Sequence, residues 1–123
     1  MKDAALVGLR VLLLEDEMLV SLEIEDILDR QGCVVVGPYC RVSEALLGAQ
    51  GETIDIAILD MNIAGTKSRP VADLLHARHI PFFFLSGYGE DAAPSDHPEW
   101  LVRGKPFTEA ELVKALRDQI ARD

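Results

Sequence analysis

The sequence predicts an α/β fold, a doubly wound (βα)5 arrangement in which helices cover both faces of a parallel five-stranded sheet of order 2-1-3-4-5. Two observations predict it: short apolar segments alternate with longer amphipathic segments along the chain, and the short segments are nearly continuous in apolar residues, as expected for parallel strands buried on both faces. A sheet of this kind binds ligands at the carboxyl ends of its strands, so the residues just past each apolar segment are the candidates for a functional site.

The first half of the chain is expected to supply three strands and two helices. Apolar runs predict strands at residues 11–14, 33–36 and 54–59. The first helix follows residue 17 and buries one face, formed by Val20, Ile24, Ile27 and Leu28. Gly32 stands where the C-cap of this helix is expected, and Gly37-Pro38 is expected to close the second strand. A shorter second helix is expected at residues 43–49.

The second half is expected to supply two strands and at least two helices. A helix is predicted at residues 71–78, with Pro70 suited to its first turn. Strands are predicted at residues 82–85 and 100–102. The last helix should begin at the capping-box sequence Thr108-Glu109-Ala110-Glu111, and its buried face is formed by Leu112, Val113, Leu116 and Ile120. Between the last two strands, residues 86–99 hold two glycines and two prolines, so the fourth helix is expected to be short or disordered.

Size and charge narrow the possible functions. At 123 residues the chain has room for one domain, residues 1–123, and not for two. A formal net charge of −9 disfavours nucleic acid as a direct partner, because phosphate backbones bind basic surfaces. No apolar run approaches the roughly 20 residues of a membrane span, and the first residues are unlike a secretory signal. A cytoplasmic protein with two free thiols, Cys33 and Cys40, is the simplest interpretation.

The residues just past the predicted strands point to a phosphate and metal site. They are Glu15, Asp16, Asp60, Asn62, Ser86 and Lys105. In the order 2-1-3-4-5 the first and third strands are neighbours, so their carboxylates would converge in one pocket. Oxygen ligands alone suit Mg²⁺, and a carboxylate can attack phosphorus to give an aspartyl-phosphate. A lysine ammonium and a serine hydroxyl would then stabilise the transferring group.

Each residue has an ordinary explanation when it is taken alone. Glu15-Asp16 could simply favour a helix N-terminus, and Asp60 could be a turn residue. A phosphatase of the haloacid-dehalogenase kind would also use an aspartyl-phosphate, but it needs a second acid where this chain has Asn62. A binding module that works without phosphorylation is the other alternative. The joint occurrence of these residues after the right strands, in the right order, favours a phosphoacceptor.

Four segments of the chain resemble the motifs of the receiver-domain family of response regulators: VLLLEDE, DIAILDMNIAG, FFFLSGY and GKPFTEAEL. The resemblance runs from Arg10 to Ile120. It implies the flavodoxin-like fold and a role in two-component signalling, in which Asp60 takes a phosphoryl group from a histidine kinase. Such a protein would not be an enzyme, because it assists only its own phosphorylation and dephosphorylation.

The resemblance also assigns roles to the other strand-end residues. It implies that Asp16 binds Mg²⁺ directly beside Asp60, that Asn62 offers its backbone carbonyl, and that Glu15 reaches the metal through water. Ser86 would be the switch hydroxyl that hydrogen-bonds the phosphoryl group. Lys105 would pair with that group and precede a cis peptide bond to Pro106.

Two departures from the family pattern suggest a subgroup. Val102 stands where most members have a switching Tyr or Phe, which leaves Tyr88 as the nearby ring able to change its packing. Together with the Gly- and Pro-rich residues 86–99 and the segment PFFFLSGY, this resembles the receivers named for a Phe-Ala-Thr-Gly-x-Tyr motif. Here Leu85-Ser86 replaces the Ala-Thr of that motif. Members of the subgroup are mostly single-domain proteins, often linked to histidine kinases of the HWE or a closely related class. A sensor kinase or a histidine phosphotransfer protein is therefore the expected partner, and output is expected through protein contact or onward phosphotransfer.

Overall fold

The computed structural model describes residues 4–87 and 93–121. Within these ranges the chain forms seven strands and four helices. In chain order they are β1 (Arg10–Leu14), α1 (Met18–Arg30), β2 (Val34–Tyr39), α2 (Val42–Gly51), β3 (Ile56–Asp60), β4 (Asn62–Ile63), β5 (Thr66–Lys67), α3 (Arg69–Ala77), β6 (Phe82–Ser86), β7 (Val102–Gly104) and α4 (Glu109–Ala121).

Five of these strands form one parallel sheet of order β2-β1-β3-β6-β7. The two remaining strands, β4 and β5, pair with each other as a small antiparallel hairpin after β3. When the hairpin is left out of the numbering, the order of the large sheet is 2-1-3-4-5. The predicted doubly wound fold is therefore confirmed.

Two hydrophobic cores lie on opposite faces of the sheet, because successive side chains of a strand point to opposite sides. The core beneath α2 and α3 includes Leu12, Leu14, Ala57, Leu59, Phe82 and Phe84. The core beneath α1 and α4 includes Val11, Leu13, Ile56, Ile58, Phe83 and Leu85. Both faces of β1, β3 and β6 are thus buried, which explains why these segments read as continuous apolar runs.

The bounds of all five predicted strands shift by one to three residues in the structure, and the shifts of two strands have a clear cause. β2 does not stop at Val36 but continues through a cis Gly37–Pro38 bond to Tyr39, whose carbonyl accepts the Glu15 N–H at 3.0 Å. Gly37 has a φ of 107°, which a side chain rarely adopts, so glycine lets the strand shift register and remain paired. β7 begins at Val102 rather than Trp100, because the Trp100 ring packs beside Phe82 and Phe84.

The β4–β5 hairpin was not predicted, and α3 begins at Arg69, two residues before the predicted start. Residues 60–68 were expected to be a loop through Gly65. Instead, Ile63 is buried in the hairpin, and the Ser68 N–H donates to the Met61 carbonyl at 3.1 Å. This bond brings the start of α3 directly beside the end of β3.

The segment before β7 contains no helix in its described part, residues 93–101, where hydrogen-bonded turns run from Pro94 to Trp100. Tyr88, the residue expected to act in switching, lies outside the described residues. The predicted capping box of α4 is present: Thr108 Oγ1 accepts the Glu111 N–H at 3.1 Å, and Glu111 accepts the Thr108 N–H at 2.8 Å. None of the helices formed by the described residues is long and apolar enough to span a membrane.

Candidate functional site at the carboxyl edge of the sheet

The strand register brings the predicted site residues to one edge of the sheet. Leu14 of β1 pairs with Leu59 of β3, and Asp60 pairs with Leu85 of β6. Glu15 and Ser86 each lie one residue beyond these pairs. Ser86 in turn pairs with Gly104, whose neighbour Lys105 donates its backbone N–H to the Ser86 carbonyl at 2.8 Å. The carboxyl ends of four adjacent strands therefore carry the acids, the hydroxyl and the lysine.

Three carboxylates meet closely at this edge. Glu15, Asp16 and Asp60 each offer an oxygen, and these oxygens lie within 4.8 Å of one another. Glu15 is only 2 % exposed and Asp60 only 5 %, whereas Asp16 is exposed. Carboxylates this close repel each other unless a cation lies among them. An all-oxygen set that is open to solvent on one side fits Mg²⁺, which keeps several of its waters.

Lys105 supplies positive charge on the inner side of the cluster. Its ammonium lies 2.8 Å from Glu15 Oε1, donates to Asp60 Oδ2 at 3.1 Å, and lies 3.8 Å from Glu17 Oε1. Burial alone would lower the pKa of Lys105, but the hydrogen bond to Glu15 and the charges of Asp60 and Glu15 outweigh it, so the pKa is raised. The charged form of Lys105 is thus stabilised beside Asp60.

The acids keep uncompensated negative charge in spite of this lysine. Burial, and to a smaller extent the nearby charge of Asp60, raise the pKa of Glu15 to about 7. The hydrogen bonds from Lys105 and from the Glu17 backbone N–H, the latter 3.0 Å from Glu15 Oε2, oppose the rise without cancelling it. One ammonium does not balance the buried carboxylates, so a further cation would be stabilised here.

The loop after β3 forms the outer wall of the site. Asp16 Oδ2 accepts the Ala64 N–H at 2.9 Å, and Asp60 Oδ1 accepts the Asn62 N–H at 3.3 Å. Ala64 and Gly65 both have positive φ angles, 50° and 85°, which allow the tight turn between β4 and β5. These contacts fix the two aspartates to the same loop.

The open space among these residues is a pocket of about 330 Å³. It is lined by Asp16, Glu17, Asp60, Met61, Asn62, Ala64, Gly65, Gly87 and Lys105. Ser86, which precedes Gly87 in the chain, is 2 % exposed and is not among the lining residues. Val102, which replaces the usual aromatic residue, is half-buried against the core beneath α2 and α3.

Sequence reasoning did not assign five of the lining residues to the site: Glu17, Met61, Ala64, Gly65 and Gly87. Glu17 and Ala64 matter most, because they contact Lys105 and Asp16. Glu17 directly precedes α1, where an acidic residue is ordinary and suggests no further role. Ala64 contributes only its backbone N–H, which no sequence pattern marks. The acidic run Glu15-Asp16-Glu17 could have identified Glu17, since it follows a buried strand directly.

Solved structures with the same fold include response regulators and their receiver domains. The chain is similar to SdrG of Sphingomonas melonis Fr1, with 37 % identity, a TM-score of 0.81 and coverage of 94 % of this chain and 98 % of that one. It is also similar to the beryllofluoride-activated conformation of SdrG, from Pseudomonas melonis Fr1, with 39 % identity, a TM-score of 0.77 and coverage of 90 % and 95 %.

A second set of similarities involves PhyR. The receiver domain of the response regulator PhyR from Erythrobacter litoralis has 25 % identity, a TM-score of 0.83 and coverage of 96 % of this chain and 94 % of that one. The phyllosphere-induced regulator PhyR of Methylorubrum extorquens is 27 % identical over 118 residues. The match covers 92 % of this chain but 44 % of PhyR, so the chain spans less than half of that relative. No model of a known protein family matches the sequence.

The chain belongs to the receiver domains of response regulators. Its function is that of a receiver domain in two-component signal transduction, and nothing in the fold or the comparisons favours the phosphatase alternative. The chain is similar to SdrG over nearly the whole of both chains.

Proposed function

We propose that Asp60 is the phosphoacceptor of this receiver domain, taken as the whole chain 1–123, and that Lys105 and Ser86 stabilise the transferred group. One observation carries the proposal: Asp60 is buried at the end of β3, yet it lines a solvent-accessible pocket and accepts a hydrogen bond from Lys105 at 3.1 Å. A buried carboxylate held by an ammonium at the mouth of a pocket is placed to meet a phosphoryl group.

The chemical step exchanges one bond to phosphorus for another. A carboxylate oxygen of Asp60 attacks the phosphorus of a phosphohistidine, the P–N bond breaks, and its electron pair returns to the imidazole nitrogen, which takes up a proton. Lys105 moves from its carboxylate partners to an oxygen of the phosphoryl group, whose charge it neutralises. The Ser86 hydroxyl, one residue beyond the Asp60–Leu85 pair, donates to another oxygen.

Four residues would hold Mg²⁺ in this pocket. Asp16 and Asp60 are the proposed direct ligands, Asn62 contributes its backbone carbonyl, and Glu15 acts through water. The fit is supported by the three carboxylates within 4.8 Å of one another and by the raised pKa of Glu15. When bound, the metal neutralises charge on the oxygens of the transferring group. The pKa of Glu15 is expected to fall on metal binding, because a cation favours the ionised form.

The proposed phosphoryl donor is a sensor histidine kinase, with the HWE type as the first candidate, or a histidine phosphotransfer protein. Three large apolar side chains at the start of α1 are exposed: Met18 by 76 %, Leu19 by 82 % and Leu22 by 50 %. They follow Glu17, which lines the pocket. An exposed apolar surface beside an active pocket is a common form of protein docking site, and a donor helix on it would bring its histidine to Asp60.

Replacing Leu19 with Glu should separate donor docking from chemistry. The Leu19→Glu variant is expected to take up phosphate from acetyl phosphate at the normal rate at about 1 M salt, where the added charge is screened, because Leu19 does not line the pocket. Phosphotransfer from a cognate histidine kinase should fall by about tenfold or more, since a charge in an apolar contact disrupts it. Leu47→Glu on α2 is a matched control, because Leu47 is 71 % exposed and is also absent from the pocket lining. Equal transfer rates in both variants would place the donor elsewhere.

The receiver is proposed to act in the cytoplasm as a phosphoacceptor rather than as an enzyme, with output by protein contact or onward phosphotransfer. Incubation with Mg²⁺ and acetyl phosphate, followed by intact mass spectrometry, tests this. We expect the mass of one phosphoryl group to be gained, and the gain to disappear when a chelator is added first. Rapid, many-fold turnover of the donor without a lasting mass increase would instead indicate a phosphatase.

A further inference from the structure

Glu17 is an additional acidic group at the mouth of the phosphoacceptor pocket. It lines the pocket with Asp16 and Asp60, and its Oε1 lies 3.8 Å from the Lys105 ammonium. Its side chain is 64 % exposed, so it faces the solvent from which a donor arrives. Its backbone N–H is fixed to Glu15 Oε2 at 3.0 Å, which holds the residue at this edge.

The charge balance of the pocket depends on this residue. When ionised, Glu15, Asp16, Glu17 and Asp60 carry four negative charges, and Lys105 supplies one positive charge. The formal charge is therefore minus three. A divalent cation would leave minus one, and removal of the Glu17 charge would leave the metal-loaded pocket neutral. Glu17 is the one of these four acids outside the proposed metal ligand set, so its charge is the one that a bound cation leaves facing an incoming anion.

Building on the proposed function, we infer that Glu17 is a specificity-determining residue that disfavours small anionic phosphoryl donors. It acts in two ways. Its carboxylate repels a free dianion that diffuses into the pocket, and it offers Lys105 a further anionic partner that competes with the phosphoryl oxygens. A donor held by a protein surface is less affected, because docking contacts away from the pocket supply its binding energy.

The relevant reaction with a small donor is simple. A carboxylate oxygen of Asp60 attacks the phosphorus of acetyl phosphate, the bond from phosphorus to the acetate oxygen breaks, and acetate leaves with the electron pair. Glu17 touches none of the reacting atoms and exchanges no proton. Its effect is electrostatic, and electrostatic effects depend on the charge of the donor and on ionic strength.

The test compares the phosphorylation rates of the wild-type protein and of Glu17→Gln at saturating Mg²⁺, followed by mass spectrometry. Two donors are used near pH 7: acetyl phosphate, a dianion, and phosphoramidate, which carries one negative charge fewer because its nitrogen is protonated.

Glu17→Gln is expected to react about threefold faster with acetyl phosphate at low salt. The gain should be smaller with phosphoramidate, and it should vanish near 1 M salt, where the screening length is about 3 Å. Glu23→Gln, an exposed acid on α1 outside the pocket lining, is the control with the same change in net charge.

A second measurement, of Mg²⁺ affinity, should change in the opposite direction to the acetyl phosphate rate. Titration with Mg²⁺, followed by amide NMR shifts of the loop around Gly65, should show weaker Mg²⁺ binding in Glu17→Gln, because a negative charge near the metal has gone. A loss of local structure would slow phosphorylation and weaken metal binding together, and would overturn the inference. An unchanged acetyl phosphate rate in Glu17→Gln, or an equal gain in Glu23→Gln, would overturn it as well and leave Asp60 as acceptor. A wild-type protein that gains no phosphoryl group would overturn the proposed function itself, and this inference with it.

Discussion

The Asp60→Ala variant is expected to lose all Mg²⁺-dependent phosphorylation while it keeps its fold. Asp60 is the one proposed nucleophile, and its neighbours Glu15 and Asp16 are held by Lys105 and by the Ala64 N–H. Because three carboxylates crowd this site, removal of one relieves repulsion. The midpoint of thermal unfolding should therefore stay the same or rise, and intact mass spectrometry should show no phosphoryl gain.

Asp29→Ala provides the control for this variant. Asp29 is an exposed acid in the last turn of α1, and that helix spans about 20 Å from the pocket end to its far end. The Asp29→Ala variant should gain the same phosphoryl mass as the wild-type protein. Full labelling of Asp60→Ala would reject Asp60 as the acceptor, and global unfolding of that variant would contradict the proposed relief of repulsion.

The second large effect is expected from Asp16→Ala. Asp16 is the exposed acid of the carboxylate cluster and the proposed direct Mg²⁺ ligand beside Asp60. Its loss should weaken Mg²⁺ binding by about 100-fold or more, which is at or above the upper end of the 10- to 100-fold typical of residues that only support a ligand. Phosphorylation at a fixed, subsaturating Mg²⁺ concentration should slow in proportion. Raising the Mg²⁺ concentration should recover part of the rate, because Asp60 itself is intact.

The Mg²⁺ affinity of this variant can be measured by NMR titration or calorimetry. Asp16→Asn is a useful companion, since it keeps the size of the side chain and one oxygen but removes the charge. It should bind Mg²⁺ less tightly than the wild type and more tightly than Asp16→Ala. An affinity that is unchanged in both variants would place the metal away from this cluster.

Much of the fold could be predicted because its periodic signals are strong. β1, β3 and β6 are buried on both faces and therefore read as apolar runs, and α4 carries a capping box whose two hydrogen bonds are formed. The short hairpin β4–β5 left no such pattern, since two-residue strands are too short for one. β2 continued past Gly37-Pro38, a pair that normally ends a strand, because the positive φ of Gly37 accommodates a register shift.

The candidate site was predictable in its position and less so in its geometry. The residues that follow β1, β3, β6 and β7 are visible in the sequence, and the order of parallel strands brings them together. The distances depend on register and on side-chain reach: the 2.8 Å contact of Lys105 with Glu15 and the 3.8 Å approach of Glu17 follow no sequence rule. Trp100 also illustrates the limit, since its large ring was read as part of a strand but packs beside Phe82 in a turn.

The most direct test of the account is to locate the phosphoryl group itself. An acyl phosphate on a carboxylate is reduced by borohydride to an alcohol, which converts a phosphorylated aspartate to homoserine and leaves ordinary aspartates unchanged. After labelling with acetyl phosphate and Mg²⁺, peptide mass spectrometry should find homoserine at position 60 alone. Homoserine at position 16 or at any other aspartate, with Asp60 unmodified, would contradict the assignment of Asp60 as the phosphoacceptor.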